Sequence, residues 1–190
     1  MITKRINGTF HVLSLGDETV LAKVFWMFTF ALLTAIGAQI ELPLQPVPLT
    51  MQTFFVLLSG AILGKRAGAI SLGLYVVLGC LGLPVFSGGA SGLAKIIGPT
   101  GGYLLAFPIA AFVVGILTNI RRDYWWMVFS MFLGSLCIFF LGVIQLNFLY
   151  MHNWTNSLQA GFFIFSWWDA VKIFGAATIA HQYFSKIKNV

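Results

Sequence analysis

Leu81-Gly82-Leu83-Pro84-Val85-Phe86-Ser87-Gly88-Gly89-Ala90-Ser91-Gly92-Leu93-Ala94-Lys95-Ile96-Ile97-Gly98-Pro99-Thr100-Gly101-Gly102-Tyr103 is a stretch that no plain spanning helix can contain. Glycine opens backbone conformations closed to other residues, and proline stops a helix. The stretch holds one charge, Lys95, and long apolar runs flank it on both sides. In hydrocarbon, non-helical backbone survives only where protein buries it or where it lines a cavity. It therefore reads as a shaped loop that closes over something, with the rest of the chain as its frame.

The composition names the solvent of that frame. Of the 190 residues, 59% are hydrophobic and 8% are charged, and the mean hydropathy is +0.92. A soluble domain carries about 25% charged residues. The acidic residues Asp17, Glu18, Glu41, Asp123 and Asp169 are too few to clothe a water-facing surface. The chain reads as an all-α integral protein of the cell membrane, surrounded by lipid. Its net charge of +6 does not signal nucleic acid, because the basic residues form short clusters between apolar runs rather than one patch. Cys80 and Cys137 lie inside apolar runs and read as small hydrophobes, without metal spacing or a disulfide framework. The first twenty residues are mixed and polar, unlike a cleavable leader, so the first spanning helix is expected to act as the membrane signal.

Outward from the glycine-rich stretch the chain divides into a polar head (1–19), a membrane domain (20–184) and a short tail (185–190). Residues 20–40 form the first expected span, long enough for a hydrocarbon core of about 30 Å. Pro43, Pro46 and Pro48 bar helix through 41–48, and a short second helix follows over 49–63, ended by Gly64. The third, 67–82, delivers the chain into the opening stretch; the fourth is 103–120, with Pro108 kinking its start; the fifth is 124–151. After a polar turn at His152–Asn156, the sixth is expected over about 157–184.

Basic residues test the count of six. Lys4, Arg5, Lys65, Arg66, Arg121, Arg122, Lys186 and Lys188 fall on one side, and only Lys95 falls on the other. Cytoplasmic loops hold the excess of Lys and Arg. Both termini are thus expected in the cytoplasm, and the glycine-rich loop between helices 3 and 4 outside.

Ionisable side chains inside a span cost several kcal/mol and are functional suspects. Lys23 sits in the first turn of its helix, where snorkelling accounts for it. Asp169 and Lys172 are expected about halfway along the sixth helix, three residues apart and so on one face. A mutual ion pair that merely packs is one reading, but an apolar pair would pack at less cost. The favoured reading is a ligand site: a carboxylate that accepts and an ammonium that donates suit a small polar head group bearing both N–H and C=O. Phe162, Phe165, Trp167 and Trp168 are available as apolar walls, although lipid-facing packing explains each one singly. Gly60-Ala61-Ile62-Leu63-Gly64-Lys65-Arg66 imitates a phosphate loop but has three residues between its glycines and Arg after Lys, so no nucleotide site is encoded. Ala31 and Ala35 give the first helix a small-residue face, which serves close packing inside the chain or docking of a partner. His11, His152 and His181 are scattered and form no metal or acid–base cluster.

Several of these segments occur together in one known family. Ala31-Leu-Leu-Thr-Ala-Ile-Gly-Ala-Gln39, Pro46-Val-Pro-Leu-Thr-Met-Gln52, Leu58-Ser-Gly-Ala-Ile-Leu-Gly64, Gly82-Leu-Pro-Val-Phe86, Gly88-Gly89, Gly98-Pro-Thr-Gly-Gly-Tyr103 and Asp169-x-x-Lys172 stand in its order and spacing. The chain resembles the BioY family, the biotin-specific substrate-binding subunits of energy-coupling-factor transporters, over roughly 30–184. The resemblance implies a six-helix subunit that binds biotin from outside. It also implies partnership with a transmembrane coupling subunit and two cytoplasmic ATPases. It implies Asp169 and Lys172 in the biotin site, with two outer loops closing over the ligand. Gln52, Phe86, Gly88, Ser91, Lys95, Thr100 and Tyr103 are the expected loop contacts, and Lys95 departs from the small or apolar residues usual there. Ala31 and Ala35 are implied as the coupling-subunit interface. Biotin is cargo in this scheme; no cofactor or metal is expected. An intramembrane enzyme using Asp169 and Lys172 is the contrasting hypothesis, weakened by the lack of a nucleophile or second carboxylate. A self-sufficient carrier is the other.

Overall fold

The computed structural model describes residues 20–163 and 166–188. The head with Lys4, Arg5, Asp17 and Glu18, together with Phe165 and the side chain of Lys188, lies outside the described residues. The elements are α1 (Val20–Gln39), β1 (Glu41–Leu42), β2 (Leu49–Thr50), α2 (Gln52–Cys80), a 3₁₀ turn (Ser87–Gly89), α3 (Leu93–Ile97), α4 (Gly101–Ile120), α5 (Tyr124–Leu146), a π-helical turn (Asn147–Met151), α6 (Trp154–Gly161) and α7 (Ser166–Lys188). Among the described residues the fold is all-helical apart from the two-residue antiparallel ribbon that pairs Glu41 with Thr50 and Leu42 with Leu49.

The helix α2 is a folded hairpin. Its interior residue Gly64 takes φ 79° and ψ 176°, a conformation suited to glycine. Gln52 Nε2 donates to Tyr75 Oη at 2.6 Å, whereas a straight helix would separate them by about 34 Å. The legs 52–63 and 65–80 therefore run antiparallel, as the second and third expected helices do, and Gly60 lies against Gly68 between them. The expected fourth helix begins two residues early, at Gly101.

The sixth helix is not continuous. The expected single helix over 157–184 is replaced by the short α6 and then by α7, which runs on to Lys188. This moves Asp169 and Lys172 from the expected middle of a helix to the first two turns of α7. A carboxylate in the first helical turn is favoured by the helix dipole, which the mid-helix position would not offer.

Among the described residues, four helices are long and apolar enough to cross a membrane, α2 included. The surface agrees. On α1, Phe25, Phe28, Leu32 and Ile36 recur on one face and are exposed, while Thr34 is buried. Buried Ser59, Ser71, Ser130 and Ser135 lie inside other legs. Such an apolar exterior over a partly polar interior suits lipid as the surroundings.

The contacts sort the loops between two ends of the bundle. At one end, Gly115 lies against Lys65, and His181 Nδ1 approaches the Arg122 carbonyl at 3.3 Å. At the other end lie the β ribbon, the glycine-rich segment and α6. Tyr103 Oη donates to the Gly161 carbonyl there at 2.9 Å.

Candidate functional site

The glycine-rich segment forms a roof, and its fastening explains its sequence. Phe86 is fully buried beside Tyr75, edge to face with ring centres 5.6 Å apart. Its ring fills the space where a side chain at position 79 would stand, so only glycine fits there. Tyr75 Oη donates to the Val85 carbonyl at 3.0 Å. Two glutamines hold the roof further along. Gln39, at the tip of α1, donates to the Phe86 carbonyl at 3.1 Å and accepts from the Gly89 amide at 3.1 Å. Gln145, near the tip of α5, donates to the carbonyls of Ile96 and Gly98 at 2.7 and 3.0 Å.

Beneath the roof lies a recess of about 470 Å³, counting the space open at its mouth. Val47, Leu104, Phe107, Ile138 and Phe139 supply apolar walls, and Gln52, Thr53, Ser87, Thr100, Asp169 and Lys172 supply polar ones.

Asp169 and Lys172 are each only 3% exposed. Lys172 Nζ meets Asp169 Oδ1 at 2.7 Å, the i,i+3 pair of the first turns of α7. The same ammonium donates to the Thr50 carbonyl at 3.1 Å and to Thr53 Oγ1 at 2.5 Å. Thr53 in turn donates to Asp169 Oδ1 at 2.9 Å. All three ammonium protons are thus engaged within the protein, while Asp169 Oδ2 is buried without a partner. A buried acceptor left unpaired costs about 1–3 kcal/mol. As built, this corner calls for a hydrogen-bond donor.

The expected site residues separate into two groups. Gln52, Thr100, Tyr103, Asp169 and Lys172 converge on the recess. Gln52 is itself held, accepting from Thr50 Oγ1 at 2.9 Å, and the buried Thr100 hydroxyl has no partner. Phe86 is an anchor of the roof rather than a wall of the recess. Gly88 turns the chain with φ 69°. Ser91 is exposed and Lys95 is half-buried on α3, and neither lines the recess. Trp167 and Trp168 are exposed, whereas Phe162 packs edge to face on Phe139.

Ala31 and Ala35 lie inside the bundle, 4% and 9% exposed, in the same core as Val56 and Leu72. In this arrangement their small faces serve packing within the chain. Docking through them requires α1 to swing away from its neighbours.

Thr53 was missing from the sequence-based set. The signal against it is that a helical threonine ordinarily bonds the carbonyl four residues back, as Thr34 and Thr118 do here. Thr53 is the second residue of α2 and has no such helical carbonyl beneath it.

Known proteins share this architecture. The structure matches the crystal structure of the S-component for biotin from an ECF-type ABC transporter with a TM-score of 0.82, covering 89% of this chain and 95% of that one at 24% identity. A biotin transporter BioY from Thermotoga maritima is 44% identical over 151 residues, spanning 80% of this chain and 89% of its own length. A probable biotin transporter BioY from Pyrococcus horikoshii is 45% identical over 127 residues, spanning 60% of this chain and 78% of its own. The profile of the BioY family matches residues 9–189. With the sequence likeness running through nearly the whole chain and the fold agreeing, this protein belongs to the BioY family.

Proposed function

We propose that this protein binds biotin outside the cell and takes it up as the substrate-binding subunit of an energy-coupling-factor transporter. The observation that carries this reading is the buried Asp169–Lys172 pair with one unpartnered carboxylate oxygen, on the wall of a recess under a glycine-rich roof. Biotin brings what that corner lacks. The ureido ring has two N–H groups, one of which can donate to Asp169 Oδ2, and the thioether ring and aliphatic tail match Phe107, Ile138 and Phe139. Gln52, Thr100 and Tyr103 complete the contacts, with Phe86 and Gly88 shaping the roof. Ser91 and Lys95 meet the ligand from the outer part of the roof as it closes, Lys95 toward the ligand carboxylate.

Six helical legs cross the cell membrane in this reading, with both termini in the cytoplasm. What supports it is the gathering of Lys65, Arg66, Arg121 and Arg122 at the bundle end away from the roof. The chain has no catalysis of its own. A transmembrane coupling subunit, met along α1 at Ala31 and Ala35 once that helix swings from its neighbours, and two cytoplasmic ATPases would complete the transporter and drive release inward.

Equilibrium binding of biotin to the purified subunit tests the reading, with Asp169→Asn and Lys172→Ala in parallel. A hydrogen bond to a charged group contributes about 1.5–3 kcal/mol, so each variant should bind roughly 10- to 100-fold more weakly. Wild-type affinity weaker than millimolar, or unaltered affinity in both variants, overturns the assignment.

A further inference from the structure

We infer that Thr53 is a positioning residue that keeps Asp169 Oδ2 open to the ligand. The inference rests on the biotin reading above and adds to it a residue whose hydroxyl acts through the ion pair. A hydroxyl has one proton to give. Thr53 gives its proton to Asp169 Oδ1 and so must receive from Lys172, which fixes the direction of both bonds. Oδ1 then holds two donors, Thr53 and Lys172, and the carboxylate is locked in rotation. The ammonium is locked as well, because its protons are divided among the Thr50 carbonyl, Thr53 and Oδ1.

Removing the hydroxyl undoes both locks. Lys172 regains a proton and the carboxylate regains its rotation. The unfilled acceptor on the same carboxylate is Oδ2, so the pair closes on itself and Oδ2 is taken. A ligand N–H would then have to displace an ion-pair contact. The hydroxyl thereby sets specificity: the corner rewards a ligand that brings an N–H, because the only unfilled polar atom of the triad is an acceptor.

The test compares biotin with an analogue methylated at its ureido nitrogens, which has the same rings but no N–H. Purified wild type, Thr53→Val, Thr53→Ala and Thr53→Ser are titrated with both ligands, and ligand-free melting is recorded for each. Wild type should prefer biotin strongly, Thr53→Val should narrow that preference at least fivefold, and Thr53→Ser should restore it. Thr53→Ala carries the comparison should the Val variant not fold. A hydroxyl-free variant that keeps the wild-type preference overturns the inference, even if both ligands bind more weakly, since a merely structural role weakens both alike. A Ser variant as impaired as Val also overturns it. Wild type that fails to bind biotin is a separate result, seen before any substitution, and overturns the functional reading together with this one.

Discussion

At the scale of single residues, the Asp169–Lys172 pair is two charges that stabilise the fold only together. Breaking a buried pair on one side leaves an uncompensated charge and costs about 3–5 kcal/mol, whereas replacing both partners by apolar groups is often near neutral. Lys172→Met should therefore lower the ligand-free melting temperature more than the double variant Asp169→Leu/Lys172→Met, while biotin binding weakens in both. Differential scanning fluorimetry with a binding assay checks this. The pair was legible in the sequence because charge inside an apolar run is conspicuous on energetic grounds alone. Thr53 was not, since threonine is at home in spanning helices and nothing in its neighbours marks a hydroxyl that bonds across to α7.

At the scale of elements, the roof hangs on one aromatic plug. Phe86 fills the space opened by Gly79, and truncating a buried Phe costs about 3–5 kcal/mol. Phe86→Ala should speed biotin dissociation at least tenfold while leaving the Asp169–Lys172 corner in place, as a chase with unlabelled biotin would show. The first helix carries a second prediction. Because Ala31 and Ala35 are buried, leucines there overpack the core by about 1–3 kcal/mol. The variants should melt earlier even as isolated subunits, and unchanged melting would mean the core accommodates them. The small-residue spacing was readable, but which neighbour it faces depends on how all the legs assemble. The same limit applies to the sixth helix. Residues 157–184 contain no proline, and Gly161 at the end of α6 was the sole local sign of the break, or of Asp169 beginning a helix rather than sitting inside one.

At the scale of the whole molecule, orientation is the property most open to a direct check. Ser91 is exposed on the roof, and Lys65 is exposed at the opposite end of the bundle. In cells carrying a variant with Cys80 and Cys137 replaced, Ser91→Cys should react with an impermeant maleimide from outside. Lys65→Cys should react only after permeabilisation, and the reverse pattern would invert the topology. The fold class and the alternation of legs were legible because apolar runs and basic clusters are whole-chain signals, insensitive to packing detail.

The two glutamine clasps join opposite parts of this molecule. Gln39 belongs to α1 and Gln145 to α5, yet both hold the same short roof. The roof is thus strung between two helix tips, like a cord between posts, and its slack depends on their separation. Lipid acyl length and lateral pressure act on that spacing. Biotin exchange should therefore vary with the bilayer in which the protein is reconstituted, and Gln39→Ala, by untying one post, should remove most of that variation.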